Sequence, residues 1–239
     1  MTTCYMCESV GTTKEHAPPK CIFPEVGDLP DGSDLRVNLI KVPACEVHNT
    51  QKSKDDEYLL NVLSMNVNSN KAGIRQFLTK VNRAAKKNPS LRQRLLKTAR
   101  RILLKDTLSG NYENTIAITI EKNRIESSLE CCARALYYYD FKEKFQGNVQ
   151  IIPLFLKDLN PSYDKTLDRM EKGTAELFKD IPLKGDNPPV FTYRFHNDID
   201  SVMLEMNFYE GSKALAFMKK NAETLSPTTE TIASPETEK

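Results

Sequence analysis

Residues 45–58 read CEVHNTQKSKDDEY, and the organisation of the N-terminal part of the chain depends on the role of His48. This histidine follows Cys45 by three positions, and a second pair with the same gap, Cys4-x2-Cys7, lies near the start of the chain. A two-residue gap lets one turn direct both side chains at the same ion, and thiolates with an imidazole suit tetrahedral zinc. We therefore predict one structural zinc ion, bound by Cys4, Cys7, Cys45 and His48. The alternatives are four unrelated residues, or a redox-active cysteine pair, although no βαβ pattern surrounds Cys4.

Length and composition are those of an ordinary globular chain. Its 239 residues are enough for one large domain or two small ones, with 39% hydrophobic and 28% charged residues. No apolar run approaches the roughly 20 residues that span a bilayer. The first ten residues, MTTCYMCESV, have neither the basic nor the apolar region of a secretory signal. We therefore expect a cytoplasmic protein with no membrane partner, whose cysteines are metal ligands or free thiols rather than disulfides.

The net charge of +2 hides a strongly basic segment between Lys71 and Lys105. This window holds twelve Lys or Arg residues and no Asp or Glu, so the rest of the chain carries −10 (2 − 12). A solvated helix usually mixes both signs, because like charges one turn apart repel. The segment therefore predicts a nucleic-acid partner, and a merely soluble basic face is the alternative. The residues predicted to contact nucleic acid here are Arg75, Lys80, Arg83, Lys86, Lys87, Arg92, Arg94, Lys97, Arg100 and Arg101.

Changes in pattern along the chain predict an α+β fold in four parts. The first part is loop-rich and needs a cross-link such as a bound metal ion to fold. The second is the basic segment, the third alternates strand-like and helix-like patterns, and the last is a Ser-, Thr-, Pro- and Glu-rich tail typical of disorder. The predicted boundaries of these parts are 1–60, 61–106, 107–220 and 221–239.

Within the basic segment, the sequence predicts two helices, 71–87 and 90–105, which Asn88-Pro89 separates. Ser90 is the predicted N-cap of the second helix. In the third part, NVQIIPLFL, PVFTYRFHN and SVMLEMNFYE predict strands, and SSLECCARALYYYDFKEKF predicts an amphipathic helix.

Between the two metal-binding pairs lies the stretch KEHAPPK, residues 14–20, in which Glu15 is followed by His16. Neighbouring side chains on a strand point to opposite faces, so the carboxylate can hold a hard cation while the imidazole faces a water molecule. A neutral imidazole is a suitable general base near pH 7. Most adjacent Glu-His pairs simply lie at protein surfaces, but the position of this one, between two zinc-binding pairs, favours a catalytic role.

The combined motif resembles that of HNH endonucleases in their zinc-stapled ββα-metal form. The matching residues are Cys4-x2-Cys7, Glu15-His16-x-Pro-Pro-Lys20, Phe23-Pro24 and Val42-Pro43-Ala44-Cys45-x2-His48-Asn49-x2-Lys52. The resemblance covers residues 4–58, about a quarter of the chain, and members usually have a second Cys where this chain has His48. It implies a small zinc-bound ββα-metal module, followed here by the basic helical segment and an α+β C-terminal domain.

The resemblance also implies roles for individual residues. His16 is then the general base that activates water against a phosphodiester, and Asn38 orients it, with Asp34 as the fallback for that role. Glu15 and Asn49 would bind one catalytic Mg²⁺ or Mn²⁺ ion, which polarises the phosphate and stabilises the leaving 3′ oxygen.

The predicted function is a metal-dependent endonuclease that nicks or cuts DNA in restriction, phage defence or a mobile element. Lys52 would contact a neighbouring phosphate, and the basic helices would clamp the backbone. RNA is the alternative substrate, and cutting both strands would need a homodimer or repeated nicking. A different function is a non-catalytic, zinc-stapled nucleic-acid-binding protein in which Glu15 and His16 are structural. A third is control of the first module by a ligand or partner bound to residues 107–220.

Overall fold

The computed structural model has an α+β fold, as predicted, and describes residues 2–50, 52–105, 110–158 and 161–221. Its strands form two two-stranded sheets and one five-stranded sheet, and every pairing between named strands is antiparallel. The predicted disordered tail lies outside the described residues, apart from Asn221. Across the described ranges, the helices are all too short or too polar to serve as a membrane span.

The N-terminal module has the order strand, strand, helix. Strand β1 (Thr13–His16) pairs with β2 (Lys41–Ala44), and helices α1 (Glu46–Thr50) and α2 (Ser53–Met65) follow. Helix α1 packs against both strands. Two acidic residues in the first turn of α2 favour its start, because they face the positive end of the helix dipole. This arrangement places the stretch after Cys45 directly against the strand that carries Glu15.

The first predicted helix of the basic segment is present and contains an irregular turn. Helices α3 (Lys71–Gln76) and α4 (Asn82–Lys87) are joined without a break by a π-helical turn, Phe77–Val81. Asn70 caps the start, since its side-chain oxygen accepts hydrogen bonds from two backbone N–H groups of the first turn.

The second predicted helix, 90–105, is wrong beyond Lys97. Helix α5 (Ser90–Lys97) ends at Lys97 with Thr98 as its C-cap, and strand β3 (Arg100–Lys105) follows, paired with β4 (Tyr112–Ala117). The Thr98 hydroxyl donates to the Leu95 carbonyl and accepts from the Thr119 N–H at 3.0 Å, which ties the helix end to the residues after β4. Arg100 and Arg101 therefore lie on a strand, not on a helix.

The predicted N-cap of this helix, Ser90, is also wrong, because the N-cap lies one residue earlier, at Pro89. Ser90 is the first helical residue, and its N–H and hydroxyl both donate to the Asn88 side-chain oxygen. Asn88 and Pro89 thus form the turn that separates the two helices, as the sequence predicts.

The C-terminal part is a five-stranded sheet with two long helices. The elements are α6 (Lys122–Phe141), β5 (Gly147–Pro153), α7 (Pro161–Phe178), β6 (Lys184–Asn187), β7 (Phe191–Asn197), β8 (Ser201–Phe208) and β9 (Ser212–Lys220). The strands predicted from NVQIIPLFL, PVFTYRFHN and SVMLEMNFYE and the helix predicted from SSLECCARALYYYDFKEKF are confirmed, and the strand order in the sheet is β5-β9-β8-β7-β6. A further helix, α7, was not predicted.

One hydrophobic core joins residues from the N-terminal module to residues from the C-terminal sheet. Tyr5, Tyr58, Leu129 and Tyr209 are all buried in it. The Tyr209 hydroxyl donates to the backbone carbonyl of Ile22, so the sheet and the first module also share a buried hydrogen bond. The predicted parts of the chain are therefore packed against one another, and loss of one is expected to affect the others.

Candidate functional site

The four predicted zinc ligands come together in the structure. The Nδ1 atom of His48 lies 3.4 Å from the Cys4 sulfur and 3.3 Å from the Cys45 sulfur. The Cys7 and Cys45 sulfurs are 3.9 Å apart, and all four ligand atoms lie within 4.8 Å of one another. Residues that are 44 positions apart in sequence meet here, so the cluster closes the long loop between the two pairs.

These distances fit a tetrahedral zinc ion. Bond lengths of about 2.3 Å to sulfur and about 2.0–2.1 Å to nitrogen imply about 3.8 Å between two sulfurs and about 3.6 Å between sulfur and nitrogen. The 3.9 Å between the Cys7 and Cys45 sulfurs and the 3.3 and 3.4 Å from His48 Nδ1 to the Cys45 and Cys4 sulfurs are close to these values. Cys4, Cys7, Cys45 and His48 could therefore hold a metal ion such as zinc.

Local backbone contacts explain why the two pairs face each other. Residues near Cys4 hydrogen-bond across to β2, since the Tyr5 N–H donates to the Pro43 carbonyl at 2.9 Å. Cys45 begins the turn that becomes α1, and the Asn49 N–H donates to its carbonyl at 3.1 Å. From the C-terminal part, the Lys144 ammonium donates to the Cys7 carbonyl at 2.9 Å, which supports the first pair.

Glu15 and His16 point to different environments, as expected for neighbours on a strand. Glu15 is buried, whereas His16 is half-buried and its imidazole has no hydrogen-bond partner among the described residues. Burial, together with the positive charges of Lys41 and Lys20, lowers the pKa of His16 below its usual value. The imidazole is therefore neutral at pH 7, which is the form a general base requires.

The Glu15 carboxylate is held in a buried ion cluster with Lys52 and Asp56. The Lys52 ammonium lies 2.9 Å from Glu15 Oε1 and 3.0 Å from Asp56 Oδ2. Glu15, Lys52 and Asp56 are 5%, 7% and 8% exposed, respectively. The Ser128 hydroxyl, on α6, donates to Asp56 Oδ1 at 2.7 Å. Two carboxylates thus share one ammonium in a nearly dry environment.

The pKa values of this cluster have opposing causes. Burial favours the neutral form of Lys52, but Asp56 and Glu15 outweigh it and raise the pKa of the ammonium, so Lys52 is charged at neutral pH. Burial raises the pKa of Glu15, and Lys52 offsets part of that effect. The predicted contact of Lys52 with a phosphate has to be corrected, because its ammonium is enclosed by the two carboxylates and does not face solvent.

The remaining predicted site residues are Asn38, its fallback Asp34, and Asn49. Asn38 is exposed in a turn with φ 50°, a left-handed conformation that Asn tolerates better than most residues, and no hydrogen bond joins it to His16 within the described ranges. The side chain of Asp34, the fallback, accepts the Arg36 N–H at 2.8 Å. Asn49 is half-buried on α1, the helix that packs against β1. The structure thus gives Asn38 and Asp34 roles in turns.

The basic residues divide into two groups. The first group contacts Glu25 and Asp28 of the N-terminal module. Arg83 lies 2.8 Å from the Asp28 carboxylate, Lys80 lies 3.6 Å from the Glu25 carboxylate, and Arg75 donates to the Asp28 backbone carbonyl. The second group is exposed and has no ion-pair partner in the part of the chain that the structure describes. Its members are Lys86, Lys87, Arg92, Arg94, Lys97, Arg100 and Arg101.

Sequence reasoning missed two features of this site. Lys41 faces the His16 region because the strand register places the two residues opposite each other, a pairing the sequence could have suggested from the two short strands. Ser128 could not have been found, since it lies 72 positions from Asp56 and α6 carries no local signal for the contact.

Replacement of Lys52 by Met should strongly destabilise the fold. The variant leaves Glu15 and Asp56 buried without a counter-charge, which typically costs about 3–5 kcal/mol. Without Lys52, burial would raise the pKa of Glu15 in the folded state further above its unfolded value, because the charge that offsets burial is gone. The loss of stability should therefore be larger at pH 8 than at pH 5.

Urea unfolding of the metal-loaded protein, followed by circular dichroism, measures this effect. Lys54→Met is the matched control, because Lys54 is an exposed lysine in the first turn of α2, two residues after the N-cap Lys52. If Lys52→Met and Lys54→Met unfold at the same urea concentration, the ion cluster does not stabilise the module.

Comparisons with protein-family models, with curated proteins and with solved structures gave no match to this chain. Its function has to be inferred from these residues and their geometry.

Proposed function

We propose that this chain is an endonuclease that hydrolyses phosphodiester bonds in DNA, with His16 as the general base and a structural zinc ion at the Cys4, Cys7, Cys45 and His48 cluster. The observation that carries the proposal is the position of His16. It is a neutral imidazole with no hydrogen-bond partner among the described residues, on a strand packed against the helix that begins at the metal cluster. The motif resemblance and the exposed basic residues support the same function.

The chemistry assigned to His16 is proton removal from water. The imidazole nitrogen takes one proton as the water oxygen forms a bond to phosphorus, and the bond from phosphorus to the 3′ oxygen breaks. The leaving oxygen takes a proton from solvent. Lys20 and Lys41 are exposed and close enough to lower the pKa of His16, so their positive charges would stabilise the negative charge that accumulates on the phosphate.

The predicted catalytic Mg²⁺ or Mn²⁺ ion does not fit the present arrangement of its two predicted ligands. Glu15 is 5% exposed and in contact with Lys52, so its carboxylate is already occupied by a cation. Asn49 alone would be a weak ligand. The requirement for a divalent ion therefore stays a prediction from the resemblance, and the hydrolysis assigned to His16 uses only groups of the protein.

The exposed basic group would supply affinity for the DNA backbone. The logarithm of the DNA-binding constant should fall linearly with the logarithm of the salt concentration. Replacement of Lys86 and Lys87 by Ala should make this slope less steep by about 2, because about one counterion is released per phosphate contact. The matched control is Lys80→Ala with Arg83→Ala, which removes the same charge from the same helical segment. Those two residues are paired with Glu25 and Asp28, so a smaller change in slope is expected. Fluorescence anisotropy with a labelled duplex over a salt series measures both slopes, and equal changes would contradict the division into two groups.

A second candidate is a zinc-stapled protein that binds nucleic acid without cleaving it. The enclosure of Glu15 by Lys52 favours this candidate, since it leaves no free carboxylate beside His16. Incubation of supercoiled plasmid with the protein in Mg²⁺, in Mn²⁺ and in a chelator weak enough to spare the zinc separates the two. Nicked or linear product supports the nuclease, and its dependence on the added ion tests the predicted cofactor. The same assay with RNA tests the substrate class. The assay at two protein concentrations tests whether a homodimer is the active form.

A further inference from the structure

A cavity of about 240 Å³ lies between α2, the π-helical turn, α4 and α5. Its wall is mainly apolar, and Phe77, Leu78 and Leu96 in that wall are 37%, 58% and 54% exposed. An irregular π-helical turn is often found where a helix forms part of a binding site. Here the turn itself contributes Phe77 and Leu78 to the wall.

Two polar side chains in the cavity wall have no partner among the described residues. Asn82 and Arg92 both line the cavity, and neither has a hydrogen bond or an ion pair to another residue within the described ranges. A third polar residue, Asn61, uses its amide N–H on the Glu57 carbonyl at 2.8 Å. An apolar pocket with a small number of unpaired polar groups is the usual form of a ligand site.

The cavity is lined mainly by residues from the most basic part of the chain. Residues 71–105 contain no acidic residue, and the elements around the cavity also carry the exposed Lys86, Lys87, Arg94 and Lys97. An apolar peptide or a second copy of this chain would have to bring its surface against these charges. A nucleic acid brings phosphates that neutralise them and bases that are flat and largely apolar on their faces.

We propose that this cavity receives one unstacked base of the bound DNA. The base would stack on the exposed ring of Phe77, and Asn82 and Arg92 would donate hydrogen bonds to its edge or to the adjoining phosphate. The volume is below the roughly 300–1,000 Å³ typical of sites for drug-sized molecules, and it suits a single planar ring system. The proposal rests on the proposed function in taking DNA as the ligand. It adds a site that binds one base, whereas the exposed basic residues alone would bind only the DNA backbone.

Fluorescence of 2-aminopurine tests the proposal, because the emission of this base is quenched while it is stacked in the duplex and rises when it is unstacked. The probe is a set of duplexes with one 2-aminopurine at successive positions, and the protein carries His16→Ala so that the DNA stays intact. We expect a severalfold rise in fluorescence at saturating protein, for at least one position. Phe77→Leu and Arg92→Gln should each remove most of that rise.

Arg94→Gln is the matched control. Arg94 is an exposed arginine on the same helix as Arg92 and is not part of the cavity wall. Both substitutions remove one charge and should lower affinity for the duplex similarly, measured by anisotropy, but Arg94→Gln should keep the fluorescence rise. Melting temperatures check that all variants fold.

Four results would overturn the base site. Saturable binding with no rise in fluorescence would do so and leave the proposed nuclease standing. An equal rise in all three variants would do so as well. Absence of any DNA binding would overturn both this site and DNA as the partner. A dimer in sedimentation that Phe77→Leu dissociates would assign the cavity to a second copy of the chain.

Discussion

Removal of the metal from the Cys4, Cys7, Cys45 and His48 cluster is expected to unfold the N-terminal module. Zinc binding to such sites supplies apparent free energies of about 10–16 kcal/mol in small zinc-dependent domains. The cluster joins the two ends of the loop between the ligand pairs, in a module with few regular elements. The purified protein should therefore contain about one zinc per chain, and His48→Ala should lose both the zinc and the folded module.

The loss should spread beyond the module, because Tyr5 and Tyr58 belong to the core that includes the C-terminal sheet. Metal analysis and thermal melts by circular dichroism measure the two effects together. Cys21→Ala is the matched control: Cys21 lies between the two ligand pairs and its thiol donates to the Asp56 carbonyl at 3.6 Å, so this variant should keep its zinc. A folded His48→Ala protein that retains one zinc would show that the ion is held elsewhere.

The second large effect is expected for His16→Ala, which should slow DNA cleavage by about 10²–10⁴-fold, the usual contribution of a general base. The variant should fold and keep its zinc, because the His16 imidazole makes no hydrogen bond to the described part of the chain. His196→Ala is the matched control. That histidine lies on β7, where its ring contacts Phe178, so its removal should leave cleavage unchanged.

The pH dependence of cleavage should follow the lowered pKa of His16. A base must be unprotonated to accept a proton, so the rate should be constant from pH 8 down to the ordinary histidine pKa of about 6.5 and fall only below it. A cation added beside Glu15 would shift the pKa in the same direction. A rate that falls well above pH 6.5 would mean that another group is the base.

The parts that sequence could predict depend on short-range spacing. Cys45 and His48 lie on one helical turn, so their gap of two residues already indicates that they share an ion. The strands of the C-terminal sheet follow from alternating residues such as those of SVMLEMNFYE, and the turn at Asn88-Pro89 follows from the restrictions that Pro places on its neighbours.

The parts that sequence could not predict depend on contacts between distant segments. Lys52 looked like a surface lysine beside the site, but Glu15 from β1 and Ser128 from α6 complete a buried cluster around it and Asp56. Arg83 looked free to bind phosphate until the fold placed Asp28 against it. The run at 100–105 looked helical because its pairing partner, β4, lies beyond it in the sequence.

The most direct test of the proposed nuclease is the rate at which supercoiled plasmid is nicked by the wild type and by His16→Ala, compared at equal zinc content. The proposal predicts nicking by the wild type and a rate at least about a hundredfold lower for the variant. Equal rates in the two proteins, or no nicking by zinc-loaded wild type with Mg²⁺, Mn²⁺ or neither, would contradict it.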